Sequence, residues 1–366
     1  MLAHTCTRWW FAMSLRSLLC LSLLSLPTYA EDLIRTHHLG ADSAARPKQK
    51  DVFASWLGED TIVYSVNGRV VRYDLRKRIQ KWSVQGLYPA DWSVARDAKR
   101  IVLLDRAASM WDGPDSDHDR EDRVVVLDSS SGKLLAQMKK TRFESLVKEF
   151  HFIPMRLAVV PDTGQVFLAG FQTYYGPFAR VVSPDLREVK GKVRIDGVLR
   201  DLSISPDGKR ITTIASNDAI CIRNIETDKE VFFSGKRVLV EPKFMSGSVD
   251  TPFVSHALHD GKQTLVHAVD NSWGKGDVHI TDIKTRKSSK FNARNGHIVM
   301  DVDFKRKHIA LSGTSENLTI LQFDGTEVAH LKSATKGRNG CVSLSPSGKR
   351  VAVACYDGTI SVFEIR

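Results

Sequence analysis

Nowhere does this chain hold the about twenty consecutive apolar residues that a membrane-spanning helix needs. Its first 30 residues contain no acidic side chain, and its 366 residues include only five cysteines and no Cys-x-x-Cys pair. A disulfide framework and the common cysteine metal sites are therefore excluded. A nucleophile elbow, a His-Glu-x-x-His pair, a glycine-rich phosphate loop and a haem-attachment motif are also missing. No convincing long helical period runs through the chain. What remains is a moderately basic sequence, 42% hydrophobic and rich in short apolar runs separated by turn residues.

The acid-free start has an order of its own. Arg16 precedes an apolar run from Ser17 to Leu26, which is followed by Pro27-Thr28-Tyr29-Ala30. A basic residue, a short apolar core and a small residue at the exit form a secretory signal peptide. Residues 1–30 are expected to be removed, with Met13 an equally good start, and the mature chain to be periplasmic or secreted. Cys20 follows Leu18-Leu19 rather than a small residue, which argues against lipidation. Losing Arg8 and Arg16 leaves 51 basic against 42 acidic side chains, a charge of +9. Such a charge favours anionic partners. The densest basic cluster, Arg76-Lys77-Arg78 with Lys81, falls at a strand connection and reads as a solvated turn. With no basic helix, base-stacking aromatic motif or zinc-finger spacing, nucleic acid is not an expected partner. Three cysteines stay in the mature chain: Cys221, Cys341 and Cys355. Cys341 and Cys355 flank one hairpin. They are either cross-strand neighbours or buried thiols on opposite faces, since a one-residue register change exchanges the two arrangements.

The turns recur. Gly58-Glu59-Asp60, Arg96-Asp97-Ala98-Lys99, Pro161-Asp162-Thr163-Gly164, Pro206-Asp207-Gly208-Lys209, His259-Asp260-Gly261-Lys262, Lys305-Arg306-Lys307 and Pro346-Ser347-Gly348-Lys349 all stand between alternating apolar runs. Each is followed by a further run ending near an acidic residue: Tyr73-Asp74, Leu127-Asp128, Ser183-Pro184-Asp185, Ile225-Glu226, Thr281-Asp282, Phe323-Asp324 and Phe363-Glu364. Seven such units at this spacing predict an all-β, seven-bladed β-propeller of four-stranded antiparallel blades. The last unit, Cys341 to Arg366, has only three strands before the sequence stops. The missing fourth is predicted to come from Asp32–Leu39, so that an N-terminal strand closes the ring. Residues 31–366 then form one propeller, with 31–49 as closing strand and linker, and the ring is expected to be monomeric.

Two of the units resemble WD repeats. Gly296-His297, Val299, Val302, Phe304 and Phe323-Asp324 look like one repeat; Ser345–Arg350, Tyr356-Asp357-Gly358-Thr359-Ile360 and Phe363-Glu364 look like another. Only the sixth unit has the Gly-His pair, and none ends its third strand in Trp-Asp. The chain therefore resembles a diverged WD-repeat-like propeller of the secreted or periplasmic bacterial type. The resemblance implies a binding scaffold, commonly for proteins.

In a blade of strands a to d, the b–c loop and the d–a connection leave one end, and the a–b and c–d turns leave the other. The a–b turns here are nearly all minimal. Three b–c loops are enlarged: Arg106–Glu121, Gln172–Phe178 and Asn271–Gly276. The d–a connections into blades three and five are long as well. Long loops on a rigid scaffold are where function usually sits. These loops carry Trp111, Tyr174, Tyr175, Phe178 and Trp273, side chains that give large contact areas at low entropy cost. They are the candidate partner-binding residues. In the connection into blade three, Thr141 and Glu144 are spaced as a capping box, and Phe143, Leu146, Val147 and Phe150 recur at helical intervals. This predicts a two-turn amphipathic helix lying over blades two and three.

Asp115, Asp117 and Asp119 alternate as in a calcium loop, with Glu121 as a further oxygen donor. Arg120 stands where an EF-hand has glycine, so the stretch reads as a Ca2+ site, as a solvated acidic loop or as an acidic patch facing a basic partner region. His256, His259, His267 and His279 gather in blade five. The function these features point to is a non-catalytic protein-binding scaffold without a required cofactor. The alternative is a propeller enzyme, lactonase-like or quinoprotein-like, with its site at the channel mouth.

Overall fold

The computed structural model describes residues 33–39, 52–66, 68–95, 99–105, 122–147, 152–172, 176–193, 195, 199–215, 218–235, 253–270, 276–293, 299–313, 317–331 and 339–365. Seven four-stranded antiparallel sheets account for nearly all of them. Strand β1 (Leu33–Leu39) comes first. Blade one is β2 (Phe53–Gly58), β3 (Thr61–Val66), β4 (Arg69–Asp74) and β5 (Ile79–Gln85). Blade two is β6 (Pro89–Val94), β7 (Arg100–Asp105), β8 (Arg123–Asp128) and β9 (Leu134–Lys139), which leads into helix α1 (Lys140–Val147). Blade three is β10 (Phe152–Val159), β11 (Val166–Gln172), β12 (Gly176–Val182) and β13 (Val189–Val193). Blade four is β14 (Leu199–Ile204), β15 (Arg210–Ala215), β16 (Ile220–Asn224) and β17 (Glu230–Ser234). Blade five is β18 (Phe253–His259), β19 (Thr264–Asp270), β20 (Gly276–Asp282) and β21 (Ser288–Asn292). Blade six is β22 (Val299–Asp303), β23 (His308–Ser312), β24 (Leu318–Gln322) and β25 (Glu327–Leu331). Blade seven is β26 (Asn339–Leu344), β27 (Arg350–Cys355), β28 (Ile360–Ile365) and, as its outer strand, β1.

The seven-bladed fold read from the turns is the fold observed, and the closing strand lies where the missing edge required it. β1 runs antiparallel to β28 from Leu33 opposite Ile365 to Leu39 opposite Ile360, with a bulge between Arg35 and His37. Without it, blade seven would expose a bare strand edge. First strands touch first strands all the way round, β2 to β6 to β10 to β14 to β18 to β22 to β26 and back to β2. They therefore form the innermost layer of the ring. The apolar core is divided into clusters wedged between neighbouring blades. One joins blades two and three through Val102, Leu104, Phe143, Leu157 and Leu168. Another joins blades seven and one through Ala354, Ile360, Ala54 and Trp56, with Leu39 packed against it.

The six c–d hairpins share one lock. A side-chain oxygen at or just past the end of the third strand accepts a backbone N–H from inside the turn. The pairs are Asp74 with Lys77 (2.8 Å), Asp128 with Ser131 (2.7 Å), Asp185 with Arg187 (3.2 Å), Asn224 with Thr227 (2.9 Å), Asp282 with Thr285 (2.7 Å) and Asp324 with Thr326 (2.8 Å). These are Asx turns; in five blades the acceptor is the acidic residue read at the third strand, and in blade four it is Asn224 rather than Glu226. Blade seven has Glu364 there and needs no such lock, because its fourth strand arrives from the other part of the chain.

Two expectations shift. The helix starts at Lys140, so Thr141 is inside it and does not cap it. The ladder of β9 continues to Lys139, opposite Arg123, and Lys140 donates its N–H to Asp122 O at 2.9 Å. The chain passes straight from strand to helix with the first donor already satisfied. Phe143 is buried and Val147 packs on the cluster between blades two and three, as the apolar spacing predicts; Phe150 lies outside the described residues. Cys341 and Cys355 are not opposite each other, since Cys341 faces Ala354 in register and Cys355 faces Asn339. They pack on opposite sides of blade seven as free thiols.

The closure has a measurable consequence. A chain lacking residues 31–40 is expected to melt at least about 5 °C below the intact mature protein, given that 1 kcal/mol moves the midpoint of a large domain by roughly 2–4 °C. Scanning calorimetry on both chains checks this; equal midpoints would mean that β1 contributes nothing.

Candidate binding face

Strand direction sorts the connections to the two ends of the ring. On the a–b and c–d end, the widest a–b turn of blades three to seven runs only from Val159 to Val166. On the other end, the chain runs from Leu39 to Phe53, Asp105 to Arg123, Lys139 to Phe152 and Ser234 to Phe253 between consecutive strands. The larger insertions therefore share one face.

The base of the largest b–c connection is clamped. The Asp105 side chain, 2% exposed, accepts the Tyr88 N–H at 2.6 Å and Arg123 Nε at 2.7 Å. The ion pair and the backbone contact hold together the last residue of β7, the first of β8 and the connection entering blade two. Hydrogen bonds to a charged acceptor of this kind are worth about 1.5–3 kcal/mol. Beside the clamp, Tyr88 is 42% exposed and lies over Gly68, where a Cβ would stand 2.7 Å from the ring. Gly68 also has φ +69°, so only glycine suits the position. Tyr356, in the b–c turn of blade seven, and Leu146 of α1 are each 37% exposed on the same end. Leu146 was read as part of the apolar face of the helix and is exposed instead, while Tyr88 and Tyr356 were not among the candidate binding residues. Tyr356 stood in a turn that was read only as a hairpin, and Tyr88 directly precedes Pro89 at the entrance to β6.

The connections that hold most of the candidate residues start and end on this face. Trp111, Asp115, Asp117 and Asp119 belong to the connection between Asp105 and Arg123, Tyr174 and Tyr175 to that between Gln172 and Gly176, and Trp273 to that between Asp270 and Gly276; all seven lie outside the described residues. Phe178 is not in a loop. It sits in β12 opposite Gly170, because the β11–β12 ladder extends to Gln172 and Gly176; its side chain is also outside the described part. The calcium reading thus falls outside the described residues. Among the described residues, no group of three or more His, Cys, Asp or Glu is placed to hold a metal.

The blade-five histidines have individual tasks. His256 Nδ1 lies 3.2 Å from Asp201 Oδ2 of blade four. Burial pushes the Asp201 carboxyl up, but this contact and the His256 and Arg156 charges outweigh it and leave Asp201 below its usual range. His259 is buried, accepts the Gly261 N–H on Nδ1 at 3.0 Å, and is driven by burial down to about 4. His267 and His279 face each other across β19 and β20 and stack with centroids 4.9 Å apart. Burial, with the neighbouring His279, brings His267 to about 4. At neutral pH His259 and His267 are uncharged packing residues.

The acidic residues of the innermost strands are likewise engaged. Asp91 Oδ2 accepts the Leu157 N–H at 2.7 Å and Asp301 Oδ2 accepts the Leu344 N–H at 2.7 Å, each across a blade boundary. Burial raises both carboxyls, Asp91 to about 6.

Neither the protein-family models nor the curated proteins give a match to this chain. Among solved structures it is similar to the β-propeller domain of Cps50 (Swd1) from Myceliophteria thermophila. The two share a TM-score of 0.63 and 13% identity, over 91% of this chain and all of that domain. The likeness is one of fold.

The neutral histidines set a pH dependence. An unfolded histidine takes up its proton near pH ~6.5, whereas His259 and His267 resist it until about 4 in the fold. Between those values the unfolded chain binds more protons, so their contribution is present above the unfolded value and is lost as pH falls towards 4. Asp91, with its raised pKa, acts in the opposite sense. The melting temperature is expected to drop by several degrees from pH 7 to pH 4.5, and a His259→Asn, His267→Phe variant to show a smaller drop. Calorimetry across that range checks it; an unchanged slope in the variant would remove the histidines as the cause.

Proposed function

We propose that the protein is an exported, non-catalytic scaffold that binds a protein partner through the b–c/d–a face of its propeller. The observation that carries this reading is the asymmetry of the two ends. Short turns, six of them locked by Asx bonds, close one end, while the large connections leave the other. A rigid ring with insertions on a single face suits recognition by loops. The exposed Tyr88, Tyr356 and Leu146 lie on that face, and Trp111, Tyr174, Tyr175 and Trp273 attach to it. The WD-repeat-like fold is compatible with such a scaffold. Export rests on the leader-like order of residues 1–30, and the charge of +9 on the remaining chain favours an anionic partner surface. Among the described residues of the innermost strands, Asp91, Asp201, Asp301 and His256 are each bonded to a neighbouring blade.

Two measurements test the reading. A Trp111→Ala, Tyr175→Ala, Trp273→Ala variant is expected to melt like the parent and to lose more than tenfold of the partner captured from envelope extract. A buried aromatic anchor costs about 2 kcal/mol or more when truncated. Retained capture by this variant, with loss on changing Arg76-Lys77-Arg78, would move the binding face to the other end. N-terminal sequencing of protein from the producing cell is expected to begin at or near Glu31. An intact Met1 or Met13 in cytosolic material would refute export.

A further inference from the structure

At the a–b/c–d end three of the seven blades share a joint, while blades one, three, five and six begin their second strands with Thr61, Val166, Thr264 and His308. Three blades begin their second strand with an arginine that crosses to the next blade. Arg100 Nη1 lies over the turn of blade three, 2.6 Å from where a Cβ of Gly164 would stand. Arg210 Nη1 donates to Lys262 O at 2.8 Å, and Arg350 Nη1 donates to Glu59 O at 3.1 Å and Asp60 Oδ1 at 2.9 Å. Blade one has Thr61 at this position, too short to cross. Between blades one and two a cleft of about 390 Å³ remains, and Thr61 lines it with Leu57, Arg72, Lys99, Asp128 and Ser130.

The wall carries two cations and one acid. Arg72 Nη1 donates to Ser129 O at 3.1 Å and Ser130 O at 2.8 Å, and its Nε has no hydrogen-bond partner among the described residues. Asp128 is committed to its own turn. Its Oδ1 accepts from the N–H and hydroxyl of both Ser130 and Ser131, and the two hydroxyls bring its pKa down to about 2. The exposed turn Arg76-Lys77-Arg78 adds positive charge on the same end of blade one. The three most exposed large hydrophobic side chains among the described residues, Leu134 (53%), Leu135 (52%) and Ile79 (46%), stand at the same end of the outer strands of these two blades. A cationic cleft beside exposed aliphatic groups fits a carboxylate with apolar neighbours.

We propose that the cleft between blades one and two binds a carboxylate of a partner polypeptide, an acidic side chain or a free C-terminus flanked by aliphatic residues. The site is on the opposite end from the loop face and does not depend on it. Lys99 supplies the accessible charge, Arg72 the fixed donor and Leu57 the apolar floor, while the rim holds the flanking side chains.

The probe is a displayed library of end-blocked peptides with a fixed central glutamate, compared with its glutamine counterpart and with a library ending in a free carboxylate. The mature protein is expected to enrich a carboxylate library at least tenfold over the glutamine library; the library enriched identifies side chain or terminus. Thr61→Arg, which installs the arginine that three other blades carry, is expected to fill the cleft and abolish the enrichment without unfolding the ring. Lys99→Gln is expected to reduce it at least fivefold. The Trp111→Ala, Tyr175→Ala, Trp273→Ala variant is expected to keep it, which separates this site from the loop face. Equal retention of glutamate and glutamine peptides, or full binding by Thr61→Arg, would overturn the proposal. So would inorganic phosphate binding in place of every peptide.

Discussion

A propeller has seven inner edges, and each is a strand with hydrogen-bonding groups on the side that no other strand covers. Buried backbone donors must be paired, so the ring has to provide partners from outside the sheet. This chain provides them from the adjacent blade. Asp91 and Ser93 of blade two receive the N–H groups of Leu157 and Val159 in blade three. Asp301 of blade six receives Leu344 N–H of blade seven. Carbonyls are served in the same way, Ser343 O by Trp56 Nε1, Arg200 O by Arg156 Nε and Ala257 O by the Ser203 hydroxyl. The cost is visible in the Asp91 and Asp301 carboxyls, both raised by burial in a setting that disfavours charge. What is gained is a fixed spacing between blades, on which both ends of the ring depend.

From that frame the two ends diverge for local reasons. At the a–b/c–d end, the Asx locks and the crossing arginines bind turns to strands and blades to one another, so little chain is left to vary. The cleft beside Thr61 lies at one of the blade boundaries that no such arginine crosses. At the other end nothing comparable recurs among the described residues. There the Asp105–Arg123 pair closes the root of one large connection and leaves its length unconstrained. The same scaffold thus offers a small charged recess at one end and extended insertions at the other.

Much of this was legible in the sequence because it is local. Each a–b turn is a short run of turn residues between alternating apolar residues, and five third strands end at or near the Asp that locks the following turn, whereas blade four uses Asn224 rather than the Glu226 read from the sequence and blade seven has no lock. The need for an N-terminal closing strand followed from a three-stranded last blade. The inner-edge bonds were not legible, because Asp91 and Leu157 or Trp56 and Ser343 are related only through the closed ring. Phe178 was misplaced by extending a loop over residues that the ladder of β11 and β12 keeps in strand. The helix start was misplaced because Thr141 and Glu144 match a capping pattern, whereas the chain enters the helix at Lys140 directly from β9. The arginines of Lys99-Arg100, Lys209-Arg210 and Lys349-Arg350 were in plain view as a repeat. Their meaning emerged only when the neighbouring blade supplied their contacts.

The β1–β28 pair also determines how the ring bears load. Leu33 lies opposite Ile365, so the chain enters and leaves the fold at adjacent points on the end that carries the c–d turns. A pull that separates those points acts across an antiparallel ladder and opens it as a zipper, one bond pair at a time, because its inter-strand bonds run perpendicular to the strands. A pull along the strands would have to shear all of them together. The joint that completes the ring is therefore its weakest element under tension applied between its ends, while a tether on one end alone leaves the ladder unstressed and turns the opposite, loop-bearing face outward.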